Sequence, residues 1–274
     1  MKIYSLKEAS IKEGTRVILR ADFDVVTDRN RLLDNFKVDK MLPTLRFLIQ
    51  RGARVRIVSH LGRPHGKRVS GLSMKDIAWC LARLLGCRVI FISDPFAQKS
   101  FKQYNQSSAL LFFENARFWP GEESNNKKFA GNLARWADLY VNEAFANSHR
   151  QHASMLALPG LLPNFAGLHL EKEVFSLNKV VRNVRRPLIA ILGGAKLETK
   201  LPLIERFLAM RGEVLLGGTL ADTLFFARGF DVGQSIIDRG LAKTLRPSTL
   251  FNSRLHLPLD SWAARGPHGK RHLV

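Results

Sequence analysis

Polar and charged side chains follow several short apolar segments of this sequence, at the points where those segments end. Asp22 and Asp24 come after the first segment, and His60 and Arg63 come after the second. The polar residues that follow later segments are Glu114, Asn115, Arg117, Asn142, Glu143, His149, Arg150 and His152. Each arginine can hold a phosphate or carboxylate with two donors, so several arginines in one crevice suit a small, multiply charged anion.

Two glycine-rich segments in the second half of the chain also end apolar segments. They are GGAK at 193–196 and GGT at 217–219. Glycine lets a phosphate or an adenine ring approach the backbone, and the N-terminus of a following helix favours negative charge. GGAK lacks the full GxxxxGK[ST] pattern, and glycine at a tight strand-to-helix turn is the structural alternative. Lys196 adds a cation at the expected mouth of the crevice.

The apolar segments are nearly continuous rather than alternating, which is typical of strands that are covered on both faces. We predict strands at Arg16–Asp22, Ala53–His60, Cys87–Ser93, Ala109–Asn115, Leu139–Ala144, Pro187–Gly193 and Glu213–Gly218. We predict helices at Lys37–Arg51, Met74–Leu85, Lys127–Ala137, Lys200–Met210 and Leu220–Arg228. This alternation predicts parallel strands joined by right-handed crossovers, and therefore an α/β fold with doubly wound sheets.

The carboxyl ends of parallel strands meet at one edge of the sheet, where ligands bind in open α/β folds. We therefore expect Arg63, Arg117 and Arg150 to converge there with His60 and His149. Each residue alone is better explained as a solvated charge or a structural histidine. Their convergence is what favours an anion site.

The segment between residues 163 and 186 interrupts the strand–helix rhythm. Its apolar residues recur at helical spacing between Gly167 and Val184, which predicts a long amphipathic connecting helix. We predict a first lobe at 1–165, a connecting helix and hinge at 166–185, a partial second lobe at 186–264 and a basic tail at 265–274. The second lobe offers only two clear strands, so we expect it to leave apolar surface uncovered.

Composition excludes several classes of protein. Hydrophobic residues make up 46% of the 274 residues and charged residues 24%, which argues against intrinsic disorder. No segment approaches the ~18 apolar residues that span a bilayer, and the N-terminus lacks the apolar core of a secretory signal. Cys80 and Cys87 are seven residues apart, which is about 10 Å if that segment is helical, and this is too far for a disulfide. We therefore expect a protein of the reducing cytoplasm, without a membrane partner.

The formal charge of +20 and the isoelectric point near 10.6 favour polyanionic partners. Nucleic acid, an anionic membrane and phosphorylated metabolites all fit, as does a solvated basic surface without a specific partner. The sequence shows no RNA-binding aromatic platform, helix-turn-helix or zinc-ligand spacing, which argues against nucleic acid. Salt dependence of binding would distinguish that class.

Several motifs occur in an order that resembles one enzyme family. They are RADFDV, SHLGRP, ENARFWPGEE, NEAFANSHRQHAS and RRPLIAILGGAKLETK, followed by LLGGTLADTLFFARGFDVGQS. From about Arg16 to about Ala264, the chain closely resembles phosphoglycerate kinases. The resemblance implies two Rossmann-like lobes with parallel sheets joined by a long helix. One lobe would bind 3-phosphoglycerate or 1,3-bisphosphoglycerate, and the other would bind ATP or ADP with Mg²⁺.

The resemblance also implies roles for individual residues. Positions that match the acid-substrate site are Asp22, Asp24, Lys37, His60, Leu61, Gly62, Arg63, Arg117 and Arg150. Positions that match the nucleotide site are Gly194, Ala195, Lys196, Lys200, Gly217 and Gly218. Lys37 and Lys196 are the implied catalytic residues. The implied reaction is reversible, glycolytic phosphoryl transfer between ATP and the carboxylate of 3-phosphoglycerate, in a monomer that carries Mg²⁺ only with the nucleotide.

The chain departs from the family pattern at three places. Lys37 stands where the family has a catalytic arginine, so it keeps the charge and loses the two-donor fork. Asp24 stands where the family has an asparagine, and an ionised carboxylate would repel an anionic ligand. The family's second lobe also continues with further strands, a ribose-binding glutamate, an acidic residue near the Mg-nucleotide and a glycine-rich loop.

These departures leave two hypotheses. In the first, the chain is a phosphoglycerate kinase, and the rest of the family's second lobe is either dispensable or supplied by another chain. In the second, the chain is a non-catalytic truncated remnant. The remnant would bind a phosphorylated three-carbon acid or, as the weaker alternative, nucleic acid.

Overall fold

The computed structural model describes residues 3–25, 27–28, 31–33, 36–182, 184–194, 197–260, 262–264, 270 and 272–273. It divides the chain into two compact units, Met1–Asn178 and Lys179–Val274. The division falls inside one helix, Leu168–Arg182. That helix occupies most of the predicted connecting segment at 166–185.

The strands in chain order are β1 Arg16–Arg20, β2 Thr27–Asp28, β3 Arg31–Leu32, β4 Arg54–Val58, β5 Val89–Ile92, β6 Leu110–Phe113, β7 Leu139–Asn142, β8 Asn164–Ala166, β9 Ile189–Leu192, β10 Glu213–Leu216, β11 Leu255–His256, β12 Trp262–Ala263 and β13 His272–Leu273. The helices are α1 Phe36–Gln50, α2 Lys75–Leu85, α3 Gln98–Tyr104, α4 Pro120–Glu123, α5 Lys127–Ala134, α6 Leu168–Arg182, α7 Leu197–Ala209, α8 Thr219–Ala227, α9 Arg239–Ala242 and α10 Pro247–Leu250.

The first unit is built on a six-stranded sheet in the order β5-β6-β4-β1-β7-β8, with every neighbouring pair parallel. Side chains alternate between its faces along each strand. Val17 and Leu19 pack on one side in a core that includes residues of α1 and α2. Ile18 packs on the other side in a core that includes Phe129 of α5 and Trp136. Both faces are covered, which explains the continuous apolar character of these strands.

The second unit contains a smaller parallel sheet in the order β11-β10-β9. One face packs Val214 and Leu216 in an apolar core with residues of α7 and α8. On the other face, Ile189 is 55% exposed, Ile191 is 80% exposed and Leu215 is 38% exposed. This apolar strip agrees with the expectation of uncovered surface in the second lobe.

The structure confirms the α/β class and the two parallel sheets. It adds β8 to the edge of the first sheet, a strand too short to give a clear sequence pattern. α7 begins at Leu197, three residues before the predicted start, and Pro202 lies within it. Among the described residues, no helix is both long and apolar enough to cross a membrane.

Candidate functional site

A cavity of about 240 Å³ lies beyond the carboxyl ends of β1, β4 and β7. Its lining residues are Asp22, Asp24, Lys37, His60, Gly62, Arg63, Arg117, Ala146, Asn147 and Arg150. The three arginines and His60 meet at this edge, as their places after parallel strands predict. His149 is exposed and does not line the cavity. Four cationic side chains face two carboxylates, so the cavity carries a surplus of positive charge.

The loop after β4 is held by side chains that follow β6. The Asn115 amide donates to the Leu61 carbonyl at 2.8 Å and to the Leu72 carbonyl at 2.9 Å. The Glu114 carboxylate accepts the backbone N–H of Met74 at 2.8 Å. Leu61 therefore supports the loop through its carbonyl and does not line the cavity.

Gly62 connects two of the lining side chains through its backbone. Its N–H donates to Oδ1 of Asp24 at 2.9 Å, and its carbonyl accepts from Nη1 of Arg117 at 2.6 Å. The residue has a φ of +59°, and a Cβ there would come within 2.9 Å of the Leu72 side chain. Both the conformation and the close approach require glycine.

Arg117 is the most deeply buried cation of the cavity, with only 3% of its surface exposed. Its Nε and Nη2 have no hydrogen-bond partner among the described residues, and Oε1 of Glu123 lies 3.9 Å from Nε. Burial lowers the pKa of the guanidinium, and the charges of Arg150 and Arg20 lower it further. Buried donors left without partners cost free energy, so an anion that accepts from them would bind favourably.

Lys37 lies in the first turn of α1 and reaches the two aspartates that follow β1. Its Nζ is 3.4 Å from each carboxylate oxygen of Asp22 and donates to the Asp24 carbonyl at 3.1 Å. The ammonium is therefore held at the cavity edge by one carboxylate and one carbonyl.

His60 is almost fully buried in the cavity wall. Its Nδ1 lies 3.3 Å from Nη2 of Arg20, and its Nε2 lies 3.9 Å from Oδ2 of Asp24. Burial lowers the pKa of the imidazole far below its usual value, and the charges of Arg20, Arg117, Lys37 and Arg150 lower it further. His60 is therefore neutral at pH 7.

Three residues of this region are not among those predicted from the sequence. Ala146 and Asn147 line the cavity from a 3₁₀ turn at Phe145–Asn147, where no charge marked them. Arg20 lies behind the cavity and is fully buried at the end of β1. A charged residue that ends a continuous apolar strand was the signal that could have identified it.

The second unit contains the residues that the sequence resemblance assigns to a nucleotide site. Gly194 and Gly218 have φ values of +115° and +59°, and a Cβ at Gly193 would lie 3.6 Å from the Gly217 carbonyl oxygen. The loops after β9 and β10 are thus close neighbours. Lys200 is half-buried on α7, whereas Ala195 and Lys196 lie outside the described residues.

A larger cavity of about 510 Å³ opens at the amino ends of the first sheet's strands. Its rim combines Glu13 with Arg54 and Arg88. Ligands of open α/β sheets bind at the opposite edge, so the smaller cavity is the better candidate.

Comparison with known proteins places the chain among phosphoglycerate kinases. The family model for phosphoglycerate kinase matches residues 6–272. The phosphoglycerate kinase of Caulobacter vibrioides is 39% identical over 258 residues, which cover 92% of this chain and 65% of the relative. That of Pelotomaculum thermopropionicum is 37% identical over 269 residues, which cover 96% and 68%.

Solved structures give the same result. Phosphoglycerate kinase from Coxiella burnetii superposes with a TM-score of 0.81 at 27% identity, over 100% of this chain and 71% of that one. The enzyme from Pyrococcus horikoshii superposes with a TM-score of 0.82 at 26% identity, over 99% and 71%. The chain spans about two thirds of the length of the curated relatives it matches. Across that span, its sequence and its fold both show that it belongs to the phosphoglycerate kinase family.

Proposed function

We propose that this chain catalyses reversible phosphoryl transfer between ATP and the carboxylate of 3-phosphoglycerate, as a monomeric glycolytic enzyme of the cytoplasm. Family membership supports the reaction class. The observation that carries the proposal is the cavity at the carboxyl ends of β1, β4 and β7, with its four cations. Arg117 contributes two buried donors that have no hydrogen-bond partner among the described residues.

We assign the acid substrate to this cavity. Arg63, Arg117 and Arg150 would hold its phosphate and carboxylate, because guanidinium forks match both groups. Leu61 and Gly62 would shape the loop at its edge. Neutral His60 would supply an N–H donor, and Asp22 would keep Lys37 in place beside the bound anion.

The nucleotide is assigned to Gly194, Ala195, Lys196, Lys200, Gly217 and Gly218, on the strength of their match to the family motif. In-line phosphoryl transfer needs positioning and positive charge rather than a nucleophilic side chain. Lys196 would stabilise the charge on the transferring group, and Lys37 would stabilise the acid side of the reaction.

Mg²⁺ belongs to the nucleotide substrate in this proposal. Mg²⁺ commonly binds through substrate phosphates with few protein ligands. The ion would therefore arrive with ATP or ADP.

The proposal is tested by calorimetry and by turnover on the purified chain. We expect 3-phosphoglycerate to bind, and Arg117→Met to weaken binding at least about tenfold because it removes a charge-assisted contact. Arg88→Met, a substitution at the opposite edge of the sheet, should leave binding unchanged. Turnover is then followed as 1,3-bisphosphoglycerate formation from ATP.

Two results would contradict parts of the proposal. Binding without turnover in the folded chain would mean that it is a non-catalytic remnant. Absence of 3-phosphoglycerate binding, together with salt-sensitive binding of DNA or RNA, would favour the nucleic-acid alternative.

A further inference from the structure

Arg20 is a fully buried arginine that contacts the cavity only through another residue. It ends β1, and its guanidinium donates from Nε to Oγ of Ser154 at 2.8 Å and from Nη1 to the Ala21 carbonyl. Its Nη2 lies 3.3 Å from Nδ1 of His60. Arg20 is not among the residues that line the cavity.

The chemistry of guanidinium decides the protonation state of the histidine. All guanidinium hydrogens are donors and the group has no acceptor, so Nδ1 of His60 must offer its lone pair to Nη2. In an Nδ1–H tautomer or an imidazolium, the Nδ1–H of His60 would point at an Nη2–H of Arg20, and no hydrogen bond could form between them. Arg20 therefore excludes two of the three protonation states of His60, and leaves the neutral ring with its proton on Nε2.

A second layer of contacts holds the guanidinium in this orientation. Ser154 accepts from Arg20 and donates its hydroxyl to Oε1 of Glu122 at 2.5 Å, while its backbone N–H donates to Oε2 at 2.9 Å. Glu122 and Ser154 are both fully buried. The chain of contacts from Glu122 to His60 thus joins α4, the segment after β7 and the ends of β1 and β4 in a fixed geometry.

His60 lines the cavity, and its Nε2 is the ring nitrogen nearer to Asp24. We propose that Arg20 is a positioning residue that fixes His60 as the Nε2–H tautomer, so that the imidazole presents a hydrogen-bond donor to an oxygen of the bound acid substrate. The substrate part of this inference rests on the proposed function. The tautomer part stands on the contact between Arg20 and His60.

Losing Arg20 has a specific consequence for an anion site. Without the guanidinium, the Nδ1–H tautomer becomes accessible and turns an Nε2 lone pair toward the ligand oxygen. Two acceptors then face each other, which costs binding free energy although residue 60 is still histidine.

The first test reads the tautomer directly, without substrate. Long-range ¹H–¹⁵N spectra of the imidazoles, with His60 assigned by loss of its signals in His60→Gln, should show a proton on Nε2 and none on Nδ1. Arg20→Met should produce a population with Nδ1–H. Arg56→Met is the matched control, because Arg56 is also fully buried on a strand and donates to the Asn105 carbonyl instead. It should leave the His60 tautomer unchanged.

Each outcome supports or overturns the tautomer inference. An Nδ1–H ring or an imidazolium in the wild-type protein at pH 7 would overturn it, even if Arg20→Met does not fold. An unchanged Nε2–H ring in a folded Arg20→Met protein would also overturn it. Ser154→Ala is a further test. It removes the hydroxyl that accepts from Nε of Arg20 but keeps the charge of the guanidinium, so we expect a partial population of the Nδ1–H tautomer of His60.

The second test measures coupling in 3-phosphoglycerate binding. We expect Arg20→Met to weaken binding about tenfold in the wild-type background and less than about threefold in the His60→Gln background. Equal losses in both backgrounds would mean that Arg20 does not act through His60. If 3-phosphoglycerate does not bind the wild-type chain at all, the proposed function fails, while the spectroscopic test still decides the tautomer.

Discussion

The buried carboxylate of Glu143 accepts the backbone N–H of Leu170 at 2.8 Å, in the first turn of α6. It also accepts the N–H of His169 at 3.0 Å and the hydroxyl of Thr44. That hydroxyl oxygen in turn accepts the N–H of Leu168 at 2.9 Å. Two side chains, Glu143 after β7 and Thr44 of α1, thus accept three backbone N–H groups at the start of α6, and place a carboxylate at the N-terminus of the helix.

Gly167→Ala is predicted to destabilise the first unit. A Cβ at residue 167 would lie 2.3 Å from Glu143, so the carboxylate would have to move away from the helix donors. We expect the free energy of unfolding, measured in urea, to fall by about 2 kcal/mol. Gly131→Ala is the control: it lies in α5 with nothing within 4 Å of the added Cβ, and should stabilise slightly. Equal effects of the two substitutions would contradict the close approach.

Stability should depend on pH through Glu143. Burial raises the pKa of this carboxyl above its usual value, although its hydrogen bonds oppose the shift. The unfolded chain then loses the proton first as pH rises, so stability is fully present below the unfolded pKa, near 4.3, and is lost as pH rises through the folded value.

The measurement compares the wild type with Glu143→Gln, which cannot titrate. We expect the wild type to lose free energy of unfolding relative to the variant between pH 4 and pH 7, so that the difference between the two proteins changes with pH. A constant difference over that interval would show that the pKa of Glu143 is the same in the folded and unfolded states.

Lys37→Arg should increase the rate of phosphoryl transfer under the proposed function. Charge stabilisation by an arginine is worth about 10³–10⁵-fold in other phosphoryl-transfer enzymes, and lysine keeps only part of it. We expect about a tenfold gain in kcat for Lys37→Arg and a loss for Lys37→Met, in the coupled assay. Lys40→Arg, one turn along α1, should have no effect. A lower kcat for Lys37→Arg would mean that the contacts with Asp22 and Asp24 fit the ammonium of lysine and do not fit a guanidinium.

Asp24→Asn should strengthen the binding of 3-phosphoglycerate. The carboxylate lines the cavity and would repel an anion, whereas an amide oxygen can still accept the Gly62 N–H. Removing one charge at about 4 Å in a wet site is worth about 1 kcal/mol, or about fivefold in affinity, and the gain should shrink with added salt. Asp76→Asn on α2 is the control, because Asp76 does not line the cavity. Weaker binding by Asp24→Asn would show that Asp24 accepts a hydrogen from the ligand.

Topology explains which parts of the site could be predicted from the sequence. Arg63, Arg117 and Arg150 were expected to meet because each follows the carboxyl end of a parallel strand, and such ends share one edge of a sheet. Long apolar runs likewise indicated β1, β4 and β7. The helical spacing from Gly167 also indicated α6, whereas the three residues of β8 pair with β7 through tertiary contacts that leave no local pattern.

The burial and pairing of individual side chains could not be predicted in the same way. The sequence gives no sign that Gly62 bonds to both Asp24 and Arg117, since these residues are far apart along the chain. The contacts of Arg20 with Ser154 and His60 arise from the same long-range packing. Residue type and spacing indicate where a site lies, whereas the hydrogen bonds that set its protonation states emerge only from the folded structure.

The central place of β1 in the first sheet also bears on how this unit folds. β1 lies between β4 and β7, and Arg16 bonds to Asp138 across 122 residues of chain. Such a pairing closes a long loop, which costs entropy before it yields contacts and slows folding. The cavity takes residues from within that loop and others, including Arg150, from beyond it, so a chain in which the loop has not closed lacks the complete cavity. The onset of anion binding would therefore mark the closure of this loop in the first unit, and could serve as a kinetic reporter of that step.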